Sequence, residues 1–294
     1  MNEDFLRLPQ GVIGPVKMVF LDLDGTTLDP NKRMTPATAE ALHLLKSQGI
    51  PFTFASARPA AMMTLHCQKA GLTGPIIAME GADLRIWETG STIRHFPIEE
   101  DTALELMEFC HNSGLDYTFY TPHAAHFRQS SQRLPRFRRY NDLAVAAGLP
   151  PVSCQFYEAY DPHFLAAQKV LKVCVNVPDE AARAKMDAFI HHFPSLRAEG
   201  SEGSLLSIVS AQVSKAAAVA LVCQLMGIDL KDVCCFGDFY NDIEMLSQAG
   251  WSVAMGNAPE AVRQSAKFVT YSNTEDGVAY FIRHHLCTEV KSPD

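Results

Sequence analysis

The sequence predicts an α/β fold in which a parallel-sheet core is interrupted by an inserted α+β domain. Three observations carry that reading. Short apolar runs at 18–21, 51–55 and 75–78 alternate with helical segments, the βαβαβ order of right-handed crossovers on a parallel sheet. From about residue 83 the pattern changes to hairpin-like alternation, and apolar runs followed by helices return only in the last third. The runs of both outer parts end abruptly in polar residues, at the strand ends where open α/β sheets bind ligands.

A chain of 294 residues suffices for one large domain or two ordinary ones, and 47% hydrophobic against 20% charged residues is ordinary for a chain that buries a core. A net charge of −8 argues against general affinity for nucleic acid or an anionic membrane. No apolar run approaches a membrane span, and the start, Met-Asn-Glu-Asp, lacks the basic and apolar regions of a signal peptide. The eight cysteines are scattered without a C-x-x-C, so reduced, mostly buried thiols in a cytoplasmic protein are the simplest expectation. Cys234 and Cys235, adjacent in an apolar run, cannot both face one partner.

The first run, Met18 to Leu21, follows Gly14-Pro15 and reads as a buried parallel strand. It ends in Asp22-Leu23-Asp24-Gly25-Thr26-Thr27. Two acids two residues apart at a strand end point to the same side, and Gly25 lets the backbone turn sharply. Carboxylates held so close repel unless a cation lies between them or one is protonated. A hard divalent ion such as Mg²⁺ suits that geometry. One carboxylate can then attack a phosphoryl group while its neighbour moves the proton. A turn with two solvated aspartates is the plainer alternative; the buried strand before and Gly-Thr after favour the functional reading.

Thr35 and Pro36 suit a helix N-cap and first turn, and Gly49 stops that helix. The second run ends in Ser56-Ala57-Arg58-Pro59 ahead of another helix, where Ser56 reads equally as a plain cap or as part of an anion site. Met79-Glu80-Gly81-Ala82 follows the third run. Residues 84–87 and 92–96 alternate as a hairpin; a helix at 98–112, strands at 116–120 and 169–175 and a helix at 179–192 follow. This gives an inserted domain at 85–195 and a core of 1–84 plus 196–294. Residues 204–209 read as a returning core strand. Ser214-Lys215-Ala216 opens an alanine-rich helix that Gly227 ends. A lysine there opposes the helix dipole, which suggests an anionic partner, although a solvated surface lysine fits too. The run 233–236 ends in Gly237-Asp238-Phe239-Tyr240-Asn241-Asp242. That is more polar groups than a helix cap needs. Strands near Ser252 and Phe268 would extend the sheet.

From Tyr117 to Asn141 there is no acidic residue, while Arg128, Arg133, Arg136, Arg138, Arg139, His123 and His126 fall within it. Charge runs are commonly solvated. The functional alternative has Arg136 and Arg138 facing the core across a cleft, where a guanidinium fork suits a second phosphate or carboxylate on a substrate. No nucleic-acid motif accompanies these arginines.

Taken together, the motifs resemble the haloacid dehalogenase superfamily. Asp22-Leu23-Asp24-Gly25-Thr26 is similar to its nucleophile motif and the Thr27-Leu28 continuation to its phosphatase branches. Ser56, Lys215 and Gly237-Asp238-x-x-Asn241-Asp242 are similar to its second, third and fourth motifs. Residues 251–258 and 275–279 resemble further signatures of the Cof-like, sugar-phosphatase-type branch. The chain departs from the usual pattern at Ala57 and Ala216, where glycine is frequent, and at Glu80, where an asparagine is usual.

The resemblance implies a Rossmann-like core with a cap, and a Mg²⁺-dependent phosphatase acting on a small phosphorylated metabolite, a sugar phosphate or a cofactor or nucleotide phosphate. It implies Asp22 as nucleophile and Asp24 as general acid/base. The metal would bind Asp22, Asp238 and the backbone carbonyl of Asp24. Ser56, Lys215, Asn241 and backbone N–H groups near Leu23 and Ala57 would hold phosphate, with Asp242 orienting the site. Arg58, Arg136 and Arg138 are the candidates for substrate selection. A phosphomutase is the runner-up, and a non-catalytic phospho-metabolite-binding regulator is disfavoured by the complete acid set. No nucleic-acid or membrane partner is expected, and the chain would act as a monomer or homodimer.

Overall fold

In the computed structural model, which describes residues 5–200 and 204–287, the first part carries β1 (Met18–Leu21), α1 (Pro36–Ser47), β2 (Phe52–Phe54), α2 (Thr64–Ala70), β3 (Pro75–Ala78), β4 (Asp83–Ile86) and β5 (Thr92–His95). The middle carries α3 (Glu100–Asn112), β6 (Tyr117–Tyr120), β7 (Ala125–Phe127), α4 (Leu134–Ala146), β8 (Cys154–Phe156), α5 (Pro162–Ala166), β9 (Lys172–Asn176), α6 (Glu180–His191), β10 (Leu196–Gly200) and β11 (Leu205–Ser210). The last part carries α7 (Lys215–Met226), β12 (Val233–Gly237), α8 (Ile243–Gln248), β13 (Trp251–Ala254), α9 (Glu260–Ser265), β14 (Phe268–Val269) and α10 (Gly277–Phe281).

The core sheet is parallel, in the order β14-β13-β12-β1-β2. A parallel bridge from Ala55 to Ile77 lays β3 beyond β2. Alternate side chains go to opposite faces. Val19, Leu21, Cys234 and Phe236 pack in one layer with residues of α1 and α10. Met18, Phe20, Val233 and Cys235 pack in the other with α7 and α8. With both faces covered, continuous apolar strands are what the sheet requires. Cys234 and Cys235 accordingly point apart. Because the strands are parallel, their C-terminal ends share one edge, where Asp22, Ser56 and Asp238 emerge. The chain leaves β1 for β2 on one side and later fills β12 on the other, so the edge beside β1 is a topological switch point. Thr35 caps α1 as expected, accepting from Thr38 N at 3.1 Å, and Ser214 caps α7.

The insertion forms a second sheet in the order β10-β11-β9-β6-β7-β8. One face, with Tyr117, Phe119, Val173, Val175, Leu206 and Ile208, is covered by α3 and α6. The opposite face carries Tyr120, Cys174 and Val209 and packs with Phe137 and Tyr140 of α4 and with Met62 and Met79 of the core. The two-residue period therefore turns Lys172 and Cys174 of β9, and Leu205 and Ser207 of β11, toward the core.

Three sequence expectations change here. The return to the core was set at residue 196, but β10 and β11 pair antiparallel with each other and with β9, so 196–210 belongs to the inserted sheet. A strand followed by a helix looks like a core unit, and its antiparallel partner is invisible along one strand. The β4–β5 hairpin, read as the start of the insertion, hydrogen-bonds to β3. The basic stretch contains α4, whose Leu134, Phe137, Tyr140 and Ala144 bury one face. Its many arginines masked that helical period. The segment before residue 17, to which the sequence assigns no element, contributes Arg7, whose backbone bonds both ways with Val269 at 3.1 and 3.0 Å and so covers the β14 edge. Among the described residues no helix is long and apolar enough to cross a membrane.

Candidate active site

Asp22 is fixed at the end of β1 from both sides of its peptide: its N–H donates to Phe236 O at 3.0 Å, and Thr27 Oγ1 donates to its carbonyl at 2.5 Å. Gly25 has φ +90°, and a Cβ there would run into the Asp238 carboxylate, so glycine is required twice over. Asn257 Nδ2 holds the Gly25 carbonyl at 2.9 Å, and Asn273 N–H in turn donates to Asn257 Oδ1 at 2.9 Å. The Gly256-Asn257 stretch thus braces the first motif.

Lys215 reaches between two carboxylates, 2.6 Å from Asp22 Oδ1 and 2.7 Å from Asp242 Oδ1, with all three residues buried. Burial disfavours the ammonium, but the two carboxylates outweigh it and hold the lysine above its ordinary value. The other oxygen of Asp242 accepts from the N–H groups of Asp238 and Phe239 at 2.9 and 3.0 Å. Thr26 Oγ1 donates to Asp238 Oδ1 at 2.7 Å. Burial pushes both Asp22 and Asp238 above the usual carboxylate range; for Asp22 the Lys215 charge opposes this and Asp242 adds to it, and for Asp238 the Asp22 charge adds to it.

Carboxylate oxygens of Asp22, Asp238 and Asp242 lie within 4.8 Å of one another. Asp242 is engaged on both oxygens, which leaves Asp22 and Asp238 as the available donors. Two adjacent buried acids, both raised by burial and Asp238 further by the Asp22 charge, are an all-oxygen set that fits a hard divalent cation.

The Asp24 side chain turns away from this group. Arg58 grips it with Nε to Oδ2 at 2.6 Å and Nη2 to Oδ1 at 2.7 Å. Lys32 lies 3.1 Å and Arg136 3.9 Å from the same carboxylate. Burial pushes Asp24 up, but Arg58, Lys32 and Arg136 outweigh it and hold the acid well below its usual range. Arg58 Nη1 also lies 3.1 Å from His66 Nε2, and burial together with the Arg58 charge pushes His66 down to about 3. His66 is therefore neutral and accepts from the guanidinium. Arg58, expected to select substrate, instead holds Asp24; its bidentate fork is already taken.

These groups line a cavity of about 550 Å³ between the two sheets. The core supplies Asp22, Asp24, Ser56, Ala57, Arg58, Lys215, Asp238 and Asn241; the insertion supplies Arg133, Arg136, Lys172, Cys174 and Ser207. Of the sequence candidates, Leu23 has its side chain buried in the core and offers the cavity only its backbone. Arg138 is exposed and not among the lining residues. A helix turns about 100° per residue, so Arg133 and Arg136 share a side of α4 and Arg138 does not. Sequence reasoning missed Lys32, Lys172 and Asn273. For Lys172 the available signal was a charge inside a run of otherwise apolar strand residues.

A family model described as haloacid dehalogenase-like hydrolase matches residues 19–282. A pyridoxal phosphate phosphatase of Escherichia coli is 28% identical over 273 residues, covering 92% of this chain and 98% of the relative. A 5-amino-6-(5-phospho-D-ribitylamino)uracil phosphatase of Bacillus subtilis is 26% identical over 274 residues, covering 92% and 97%. The solved structure of a haloacid dehalogenase-like hydrolase from Bacteroides thetaiotaomicron aligns with a TM-score of 0.76 at 25% identity, covering 91% of this chain and 98% of that one.

Proposed function

The chain belongs to the haloacid dehalogenase-like hydrolases and is a phosphoric monoester hydrolase of that family; from that premise we propose that it hydrolyses a small phosphorylated metabolite through a phosphorylated Asp22, with Mg²⁺ held by Asp22 and Asp238. The observation that carries this reading is Lys215 bridging Asp22 and Asp242 beside Asp238. An aspartate at a cavity floor with a fixed ammonium on one oxygen is a nucleophile whose charge is balanced as a phosphate dianion arrives.

Asp22 attacks phosphorus in line, forming the acyl-phosphate bond as the ester P–O bond breaks. Asp24 gives a proton to the departing alkoxide, then takes one from the water that attacks phosphorus and frees Asp22. The Arg58 clamp keeps Asp24 anionic, the form that accepts a proton, but also makes it a weak base. Both of its proton transfers therefore require that the incoming dianion loosen that clamp. Lys215, Ser56, Asn241 and the backbone N–H groups of Leu23 and Ala57 hold the phosphoryl oxygens, and Asp242 orients Lys215 and the loop after β12. A divalent ion held by Asp22 and Asp238 would supply charge neutralisation for the phosphoryl transfer. Positioning and charge balance are most of what such a transfer needs.

The relatives' substrates, a cofactor phosphate and a ribityl phosphate, support a sugar or cofactor phosphate here. Purified protein with Mg²⁺ should release inorganic phosphate from members of a panel of such esters. An isomeric ester without free phosphate would favour the phosphomutase instead, and no conversion of any ester would contradict both.

The inserted domain selects the substrate, and Arg136 favours one with a second anionic group. Arg136→Ala is expected to raise KM about tenfold or more for a sugar bisphosphate while changing p-nitrophenyl phosphate little, the usual scale of a lost charge-assisted hydrogen bond. Arg138→Ala should change neither. Equal effects of Arg136→Ala on both esters would return it to a general electrostatic role.

A further inference from the structure

The cavity holds a second ionic pair that the chemistry above does not use. Lys172, from β9 of the insertion, is 3% exposed, and Glu80, in the turn after β3, is 4% exposed. Lys172 Nζ donates to Glu80 Oε1 at 2.9 Å and to the Ala57 carbonyl at 3.0 Å. Both residues line the same cavity as Asp22, and so does Ser207, which hydrogen-bonds Glu80. An ammonium has three N–H groups, and these contacts account for two; a carboxylate retains acceptor capacity beyond two partners.

The turn that presents Glu80 is strained. Met79 and Glu80, neither of them glycine, have φ of 50° and 63°. Such conformations persist where the surroundings over-determine them, often at ligand clamps. Here the surroundings are the phosphate-side loop: Met79 N–H donates to Arg58 O at 2.8 Å and Glu80 N–H to Ser56 O at 2.9 Å. Lys172 ties to the same loop through Ala57. The pair therefore sits directly beside the place where Ser56 would hold phosphate, with one partner from each side of the cleft.

We propose that Glu80 and Lys172 form the subsite for a hydroxyl of the leaving group, so that the substrate is a polyol or sugar phosphate hydroxylated close to its phosphate ester. The inference rests on the phosphatase reading and specifies its substrate class. A second anion at this spot would meet the Glu80 carboxylate. An apolar group would leave the third Lys172 N–H and the spare Glu80 acceptor capacity unused, and a buried ion pair serving only as a domain latch is commonly matched by apolar packing. A hydroxyl satisfies both partners at once, donating to the carboxylate and accepting from the ammonium. Its binding also favours the arrangement in which the insertion rests on the core.

The test compares glycerol 3-phosphate with n-propyl phosphate, which have the same carbon chain and differ only in hydroxyls. Wild-type kcat/KM should favour the hydroxylated ester on the order of 10²-fold or more, because a site built around a hydroxyl rejects the analogue lacking it. Glu80→Gln and Lys172→Met should each shrink that ratio at least about tenfold, through loss on glycerol 3-phosphate. Should either single variant fail to fold, the double variant Glu80→Leu with Lys172→Met leaves no unpaired charge and carries the same comparison. A wild-type ratio near one, or a ratio that none of these variants moves, overturns the inference while leaving the phosphatase reading intact. Release of phosphate from no ester at all overturns both.

Discussion

Asp22→Asn is expected to lower kcat by on the order of 10⁴-fold or more while the protein stays folded, because an amide oxygen is a poor nucleophile toward phosphorus. The position is tied down by backbone contacts that the substitution leaves in place, the Phe236 carbonyl on one side and Thr27 on the other. Lys215 keeps Asp242 as an ionic partner. The comparison with Asp24→Asn separates the two roles. That variant loses proton transfer, which costs on the order of 10²–10⁴ in rate, and it also loosens Arg58. Phosphate release from an aryl phosphate, with a melting curve for each variant, measures both. Near-normal turnover of Asp22→Asn would remove the nucleophile assignment.

The second large effect is metal removal. Treatment with EDTA should bring activity to background, and Mg²⁺ should restore it. The physical ground is the pair Asp22 and Asp238: burial raises both, and the Asp22 charge raises Asp238 further, so a cation held by the two carboxylates would offset that cost. Mg²⁺ should therefore also raise the melting temperature of the wild-type chain, and do so much less in Asp238→Asn, by the linkage that governs any ligand of the folded state. Full activity in a sample verified metal-free would contradict the assignment. So would a stabilisation by Mg²⁺ that survives loss of Asp238.

The sequence made the core legible because each motif sits where a buried strand must end. Asp22, Ser56 and Asp238 follow apolar runs of the length a parallel strand has, and the structure brings them to one edge together with Lys215 and Asn241. Gly25 was readable as a turn residue; that a Cβ there would strike Asp238 was not, since Asp238 lies far along the chain. The insertion was harder to read because antiparallel partners leave no mark on a single strand. β11 looked like a core strand, and only its pairing with β9 moves it to the other sheet. Arg136 and Arg138 looked equivalent in a run read only by its charge, and helical geometry separates them. Arg58 was assigned to the substrate because an arginine beside a phosphate motif invites that reading. Its bidentate contact with Asp24 spans two loops, and nothing local to either announces it. Glu80 stood out only as a departure from a usual asparagine; its meaning needed Lys172, brought from the opposite sheet.

The central claim is the covalent intermediate on Asp22, and its most direct test is chemical trapping. Turnover of a good ester in the presence of Mg²⁺ is quenched in acid and reduced with borohydride, which converts an aspartyl phosphate to homoserine, and the digest is read by mass spectrometry. The account predicts homoserine at position 22, enriched in Asp24→Asn, where attack by water is slowed, and absent from Asp22→Asn. Conversion at Asp24, Asp238 or Asp242 with Asp22 unmodified would contradict it.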